Sequence, residues 1–378
     1  MSGFIPYGRQ SIFDDDIDAV METLRSDFIT TGPKVEDFEN AMAEYLGTNH
    51  AVAVSNGTAA LHLASLALLE PKTKVLTTPN TFLATSNSII YAGAKPLFVD
   101  IEEDGNIDLK LCEEMLKKDP EIKALYAVHF SGKPVDQEYL SYLKNRFDII
   151  VVEDCAHSLG ATTKSGKKAG GCECSDASTF SFHPVKNMTS AEGGLIATND
   201  RNLCEKLKSL RNHGVVRRPD MAPWEYEMQD LGFNYRINDL QCALGLSQLG
   251  KLDSFIARRH ELARRYDTAF ENDDLIEPLY PFDKHSSYHL YVVLIDFERT
   301  SIDRSALFHA MRSKGIGLQV HYIPIVLQPY YKRLGYEEKK LPKAMRYYER
   351  AVSLPIYAAL TDEKQMFVID TLKEIVHG

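Results

Sequence analysis

Apolar and polar positions along this chain follow two regimes. Between residues 51 and 215, short apolar runs recur: AVAVS at 51–55, VLTT at 75–78, PLFVD at 96–100, ALYAVHF at 124–130 and DIIVVED at 148–154. Amphipathic stretches separate them, one ending at Leu69, others at 81–91 and 109–117, and one after Asp136. Strand-length apolar runs alternating with helix-length stretches predict a mainly parallel sheet covered on both faces. The runs 177–182 and 194–198 add strands, and 202–211 reads as a helix. Ahead of the alternation, an acidic start at 14–16 opens a helix to about residue 24. SDFITTGP at 26–33 breaks it from a second helix at 34–46.

Past residue 211 the pattern changes. The stretch 211–239 is long, polar and carries the one tryptophan, and loops of that length are functional or mobile. A single helix is predicted over 239–270, with apolar residues at 240, 243, 244, 246 and 249 on one side. It leads from a large unit, 1–250, into a smaller α/β unit, 251–378. There SSYHLYVVLID at 286–296 reads as a strand, 305–314 as a helix, and GIGLQVHYIPI at 315–325 as a second strand ending in a loop. Helices at 342–354 and 361–376 cover this small sheet.

Composition narrows the function classes. With 44% hydrophobic and 25% charged residues over 378 positions, the chain is globular and long enough for a large core. A net charge of -10 argues against a nucleic-acid-binding surface. No apolar run reaches the ~20 residues of a membrane span, and the opening MSGFIPYGRQ is not a signal peptide, so a cytoplasmic protein is expected. Six cysteines, at 112, 155, 172, 174, 204 and 242, have neither zinc-knuckle nor redox CxxC spacing, and no metal is expected.

Three stretches carry chemistry. In SFHPVKNMTSAEGG at 181–194, Lys186 follows a strand and precedes a glycine pair, a setting suited to a Schiff-base lysine for an aldehyde cofactor. A solvated turn lysine fits the same residues. In VVEDCAHSLG at 151–160, two carboxylates end an apolar strand, where open α/β sheets bind ligands. Period-2 alternation sends Glu153 and Asp154 to opposite faces, and Asp154 is chosen to hold a proton on a pyridine nitrogen. His157 either stacks near that ring or holds Asp154; a helix cap beside a core histidine is the alternative. In VSNGTAALH at 54–62, Gly57 and Thr58 open a helix after a strand, forming an anion site or an ordinary N-cap. TTKSGKKAGG at 162–171 lacks the spacing of a phosphate loop.

These motifs, with TPNTFLATSNSI, RNHG and GFNYRINDLQCALGLSQL, resemble the DegT/DnrJ/EryC1/StrS family of sugar aminotransferases from about Ile5 to the C-terminus. The resemblance implies a fold-type I, aspartate-aminotransferase-like α/β enzyme. It also implies pyridoxal 5'-phosphate as cofactor and a homodimer with shared active sites. Lys186 and Asp154 would be catalytic, with Ser181, Gly57, Thr58 and a neighbour's Asn234 on the phosphate and Phe82 stacked on the ring. Substrate contacts would come from Tyr7, from Asp27, Phe28, Ile29 and Thr30, from His183, and from His321, Tyr322, Ile323 and Pro324. IPYGRQ, SFHPVK and VHYIPIVLQPYY look most like members that aminate C4 of a UDP-linked 4-keto-6-deoxy-N-acetylhexosamine, with L-glutamate as amino donor. His183 departs from the serine or threonine common in the family. Related dehydratases carry histidine in place of the lysine, which Lys186 argues against. No cysteine sits in a recognisable desulfurase loop. A cofactor-binding regulator is the non-enzymatic alternative, as is a different UDP- or dTDP-linked keto-deoxysugar among substrates.

Overall fold

The computed structural model describes residues 3–378. Seven strands form the main sheet: β1 (His50–Val54), β2 (Lys74–Thr77), β3 (Lys95–Phe98), β4 (Ile122–Val128), β5 (Ile150–Asp154), β6 (Ala177–Ser181) and β7 (Gly194–Thr198). Their order is β1-β7-β6-β5-β4-β2-β3, so β5 is central. Pairing is parallel from β3 through β6, and β7 runs antiparallel to both β6 and β1. The mainly parallel sheet expected from the sequence is thus present, with β7 the single reversed strand. Its strands are nearly continuous apolar runs because helices cover both faces.

The helix expected over 239–270 is two helices, Asp239–Leu249 and Leu252–Phe270, parted at Gly250. The buried side of the first also differs from the apolar stripe. It buries Cys242, Ala243, Gly245 and Gln248, leaving Leu244 and Leu246 only partly covered. Polar anchors fix that rotation. Asp239 accepts from the N–H groups of Gly32 and Lys34 at 2.8 and 3.0 Å, and Gln248 Nε2 donates to Asp16 Oδ2 at 2.7 Å.

The second sheet comprises Ile276–Pro278, Tyr291–Ile295 and Ala351–Leu354, all antiparallel. Two expectations need correction. Residues 315–325 form no regular strand; Ile316 bridges Ile5 and Gln319 bridges Ser353, each as an isolated pair. The segment expected as one helix to residue 354 ends at Arg350, and Ala351–Leu354 takes the strand place. Residues 315–325 instead cross to the large sheet's side, where Tyr322 N–H donates to Asn80 Oδ1 at 3.3 Å and Ile325 N–H to the Pro79 carbonyl at 3.0 Å.

Candidate active site

The C-terminal ends of the central strands open into a cavity of about 860 Å³, and most of the chemistry-bearing residues gather there. Asp154 ends β5, opposite Val128 of β4 and Thr179 of β6. Alternation along β5 separates the two carboxylates as expected. Glu153 turns away into a buried cluster with His129 Nε2 at 3.0 Å, Gln137 Nε2 at 2.9 Å and Ser175 Oγ at 2.5 Å. Asp154 lines the cavity, with Oδ1 accepting from Ala156 N–H at 3.0 Å and Oδ2 from the Thr85 hydroxyl at 2.7 Å. His157 does not hold Asp154. Its Nε2 meets Tyr322 Oη at 2.9 Å, joining β5 to the 315–325 segment.

Lys186 lies four residues beyond Phe182, in a loop tied down at both ends. Phe182 N–H donates to Gly193, Ser190 N–H to the Phe182 carbonyl, and Asn187 Nδ2 to the Leu159 carbonyl. A short turn, Lys186 N–H to the His183 carbonyl at 2.9 Å, aims the side chain inward. Burial brings the amine from its ordinary value down to about 8, while the charge of Asp154 pulls the other way. Three imidazoles share this environment. Burial, then the Lys186 charge, drives His157 and His289 well below the usual histidine range and His321 to about 3, so all three are neutral at neutral pH. Tyr7 packs on His321, ring centres 5.4 Å apart.

The residues fit an anionic, phosphate-bearing group on the cavity's other wall. Asn56 caps the helix Gly57–Leu68 by accepting from Ala59 N–H at 2.8 Å, and Ala60 N–H meets the Asn56 carbonyl. The Gly57 and Thr58 N–H groups, beside Ser181, have no acceptor among the described residues. Two glycines allow this close meeting. A Cβ on Gly57 would lie 2.8 Å from Ser181 Cβ, and one on Gly194 would lie 2.3 Å from the Asn56 carbonyl oxygen. Backbone donors at a helix N-terminus plus a hydroxyl make a phosphate cradle.

Of the residues expected at the site, Tyr7, Gly57, Thr58, Phe82, Asp154, His157, Ser181, His183, Lys186, His321, Tyr322 and Ile323 line this cavity. Phe82, at the start of the helix Leu83–Tyr91, leaves 56% of its surface exposed at the rim. Pro324, Asn234 and the segment Asp27, Phe28, Ile29 and Thr30 do not line it within one chain. Asn234 is exposed and pairs with the partly buried Asn212, and Thr30 pairs with Asn238. Sequence reasoning missed Thr85, His289 and Tyr235. Thr85 follows Thr81 by four residues across the start of the helix Leu83–Tyr91, and the repeated hydroxyl was a readable signal. His289 offered none, since it reaches the cavity from the loop that leads into the strand Tyr291–Ile295 of the second sheet. All six cysteines are buried and unpaired.

The DegT/DnrJ/EryC1/StrS aminotransferase family matches residues 10–373. The UDP-4-amino-4,6-dideoxy-N-acetyl-beta-L-altrosamine transaminase of Campylobacter jejuni is 41% identical over 377 residues, 98% of this chain and 97% of its own. Among solved structures, Helicobacter pylori PseC, an aminotransferase involved in the biosynthesis of pseudoaminic acid, superposes with a TM-score of 0.93. It is 32% identical, with 99% of each chain covered. The PLP-form of Spr1654 from Streptococcus pneumoniae gives 0.90 at 30% identity, again with 99% of each chain covered. The desolvated lysine, the strand-end aspartate and the phosphate cradle therefore stand in a full-length match, and the chain belongs to the DegT/DnrJ/EryC1/StrS aminotransferase family.

Proposed function

We propose that this chain is a pyridoxal 5'-phosphate-dependent aminotransferase. It transfers an amino group from L-glutamate to C4 of a UDP-linked 4-keto-6-deoxy-N-acetylhexosamine, as in pseudaminic-acid-type nucleotide-sugar synthesis. The observation that carries the reading is the desolvated Lys186 amine sharing a cavity with Asp154 and an open helix N-terminus. The similarity to the Campylobacter transaminase and to PseC supports the sugar.

Pyridoxal phosphate, when bound, supplies an aldehyde for the lysine and a ring that takes up electrons from the carbon losing its proton. The chain's own residues do the rest. Gly57, Thr58 and Ser181 would hold the phosphate, Phe82 and His157 would lie against the ring, and Asp154 would keep a proton on the ring nitrogen. Lys186 Nζ would carry the proton between carbons at the reacting centre, which requires it to be uncharged at working pH. A pKa near 8 makes that form accessible where a solvated lysine near 10.5 would not. Burial removes charge stabilisation, so the nucleophilic amine appears as pH rises through about 8. Capture of pyridoxal phosphate by cofactor-free protein should therefore quicken up to about pH 8 and level off there. A rise continuing toward pH 10 would show a solvated amine instead.

The reading extends to assembly. A second copy would bring Asn234 to the phosphate, consistent with its exposed position outside its own chain's cavity. Partly buried Leu244 and Leu246 and exposed Phe28, Trp224, Met228 and Leu231 supply apolar surface for such a homodimer. We take the chain as a large unit, 1–250, and a small one, 251–378, meeting at Gly250, and assign it to the cytoplasm, where buried unpaired thiols stay reduced.

The test is spectroscopic. Glutamate should convert the bound cofactor's visible absorbance to that of the aminated form, and one UDP-linked 4-keto-6-deoxy-N-acetylhexosamine should restore it. Conversion by glutamate with restoration only by a dTDP-linked or different keto-sugar would overturn the substrate and keep the chemistry. Absence of any conversion would overturn the aminotransferase.

A further inference from the structure

We propose that Thr85, backed by Thr81, is a positioning residue that aims and polarises Asp154. The inference rests on the pyridoxal reading of the site and adds to it a residue that acts without touching substrate.

The hydrogen-bond geometry fixes the direction of every proton in the chain. Thr85 Oγ1 lies 2.7 Å from Asp154 Oδ2 and 2.8 Å from Thr81 Oγ1. An ionised carboxylate only accepts, and a threonine hydroxyl has one proton. Thr85 must therefore donate to Asp154, and Thr81 must donate to Thr85. The donation is cooperative, since a hydroxyl that accepts becomes the stronger donor. Ala156 N–H at 3.0 Å fixes the other carboxylate oxygen, so the carboxylate plane is held at both ends.

Thr85 is not in the usual position of a helical threonine. Within a helix the hydroxyl commonly turns back to the carbonyl four residues earlier. Here it is taken by a residue 69 positions away, and both threonines are buried, at 2% and 0% exposure. The helix Leu83–Tyr91 that carries Thr85 is itself anchored by hydroxyls. Ser88 Oγ meets Ser65 Oγ at 3.2 Å, Ser65 Oγ meets Tyr126 Oη at 2.9 Å, and Tyr331 Oη lies 2.7 Å from both Ser86 Oγ and Asn87 Oδ1, donating its one proton to the amide oxygen. A rigid element thus delivers a charge-assisted hydrogen bond to the carboxylate that would face the ring nitrogen.

The consequence has a sign. Thr85→Val keeps the shape and removes the donor, so the Asp154 anion is less stabilised and draws the shared proton toward itself. The ring then carries less positive charge, and the nitrogen linking Lys186 to the cofactor holds its own proton more tightly. The pH midpoint of the bound cofactor's absorbance change should rise by about one unit, and cofactor should dissociate about tenfold more readily. Thr85→Ser should restore both values, and Thr81→Val should give the same shifts at smaller size. In an Asp154→Asn background, Thr85→Val should shift the midpoint no further, because the two act as one unit.

An unchanged midpoint in Thr85→Val, with wild-type absorbance present, would overturn the inference while leaving the pyridoxal reading intact. So would a shift that Thr85→Ser fails to reverse or one that adds fully to Asp154→Asn. Wild-type protein that develops no cofactor absorbance at all would fail the underlying reading instead, and the two failures are told apart by that single control.

Discussion

Lys186→Ala loses transamination by about four orders of magnitude or more, because one nitrogen performs two tasks. It anchors the cofactor aldehyde, and it carries the proton between carbons. The expected signs are separate. Borohydride no longer fixes cofactor to the chain, and cofactor still binds through the Gly57, Thr58 and Ser181 cradle, with the absorbance of a free aldehyde. Lys186→Arg is equally inactive, since a guanidinium does not give up its proton at working pH. Small primary amines added to Lys186→Ala restore a fraction of the rate, rising with the amine's basicity. The fold itself should hold. Removing a desolvated amine relieves a burial penalty, so apo-protein thermal stability stays level or rises. Retention of more than about one hundredth of the wild-type rate would mean that another base moves the proton. The neutral imidazoles of His157 and His289 are the groups to examine then.

Why these residues could be read in advance, and others not, follows from how local each signal is. The buried strands β1 to β7 announce themselves because a strand covered on both faces is apolar at nearly every position, as in Val151 and Val152. Asp154 stood out as a carboxylate ending such a run. Period 2 alone separated it from Glu153, whose partners His129 and Ser175 lie on the far side. Signals failed where tertiary contacts overrode the pattern. Residues 315–325 have the composition of a strand, yet they meet the strand Ala351–Leu354 only at the Gln319–Ser353 pair, and Tyr322 and Ile325 bond instead to Asn80 and Pro79, while Ala351–Leu354, following a helix without a break in composition, takes the strand place. The stripe on Asp239–Leu249 misled because Asp239 and Gln248 turn inward to bond distant backbone and carboxylate groups. His289 and Tyr235 reach the cavity from segments more than fifty residues from Asp154, and no local spacing encodes that meeting. The roles of Asn234 and of 27–30 turn on a second copy of the chain, which a single sequence does not describe.

Asp154→Asn should lower the rate of the glutamate half-reaction on the order of 10³-fold, measured as single-turnover loss of the bound cofactor's absorbance. The amide has nearly the carboxylate's shape, and its Oδ1 can still accept from Thr85 or from Ala156 N–H, so the helix platform and cavity survive. What it cannot do is hold a proton on the ring nitrogen, and without that charge the ring is a poorer acceptor for electrons released at the reacting carbon. The substitution carries a second, independent sign through Lys186. Asp154 is the one influence raising the lysine's pKa against burial. Its neutralisation should push the amine below about 8, and the pH profile for cofactor capture should move toward lower pH. The two effects oppose each other in outcome: capture at neutral pH becomes easier while turnover collapses. A general loss of structure would depress both together. Reconstitution with a cofactor methylated at the ring nitrogen separates the remaining possibilities, because it carries the positive charge permanently. If Asp154 acts through that charge, the methylated cofactor should bring the Asn variant back toward wild-type turnover. If turnover stays low while capture remains fast, Asp154 is needed for ring placement, and its carboxylate serves as an anchor for the ring more than as the holder of its proton.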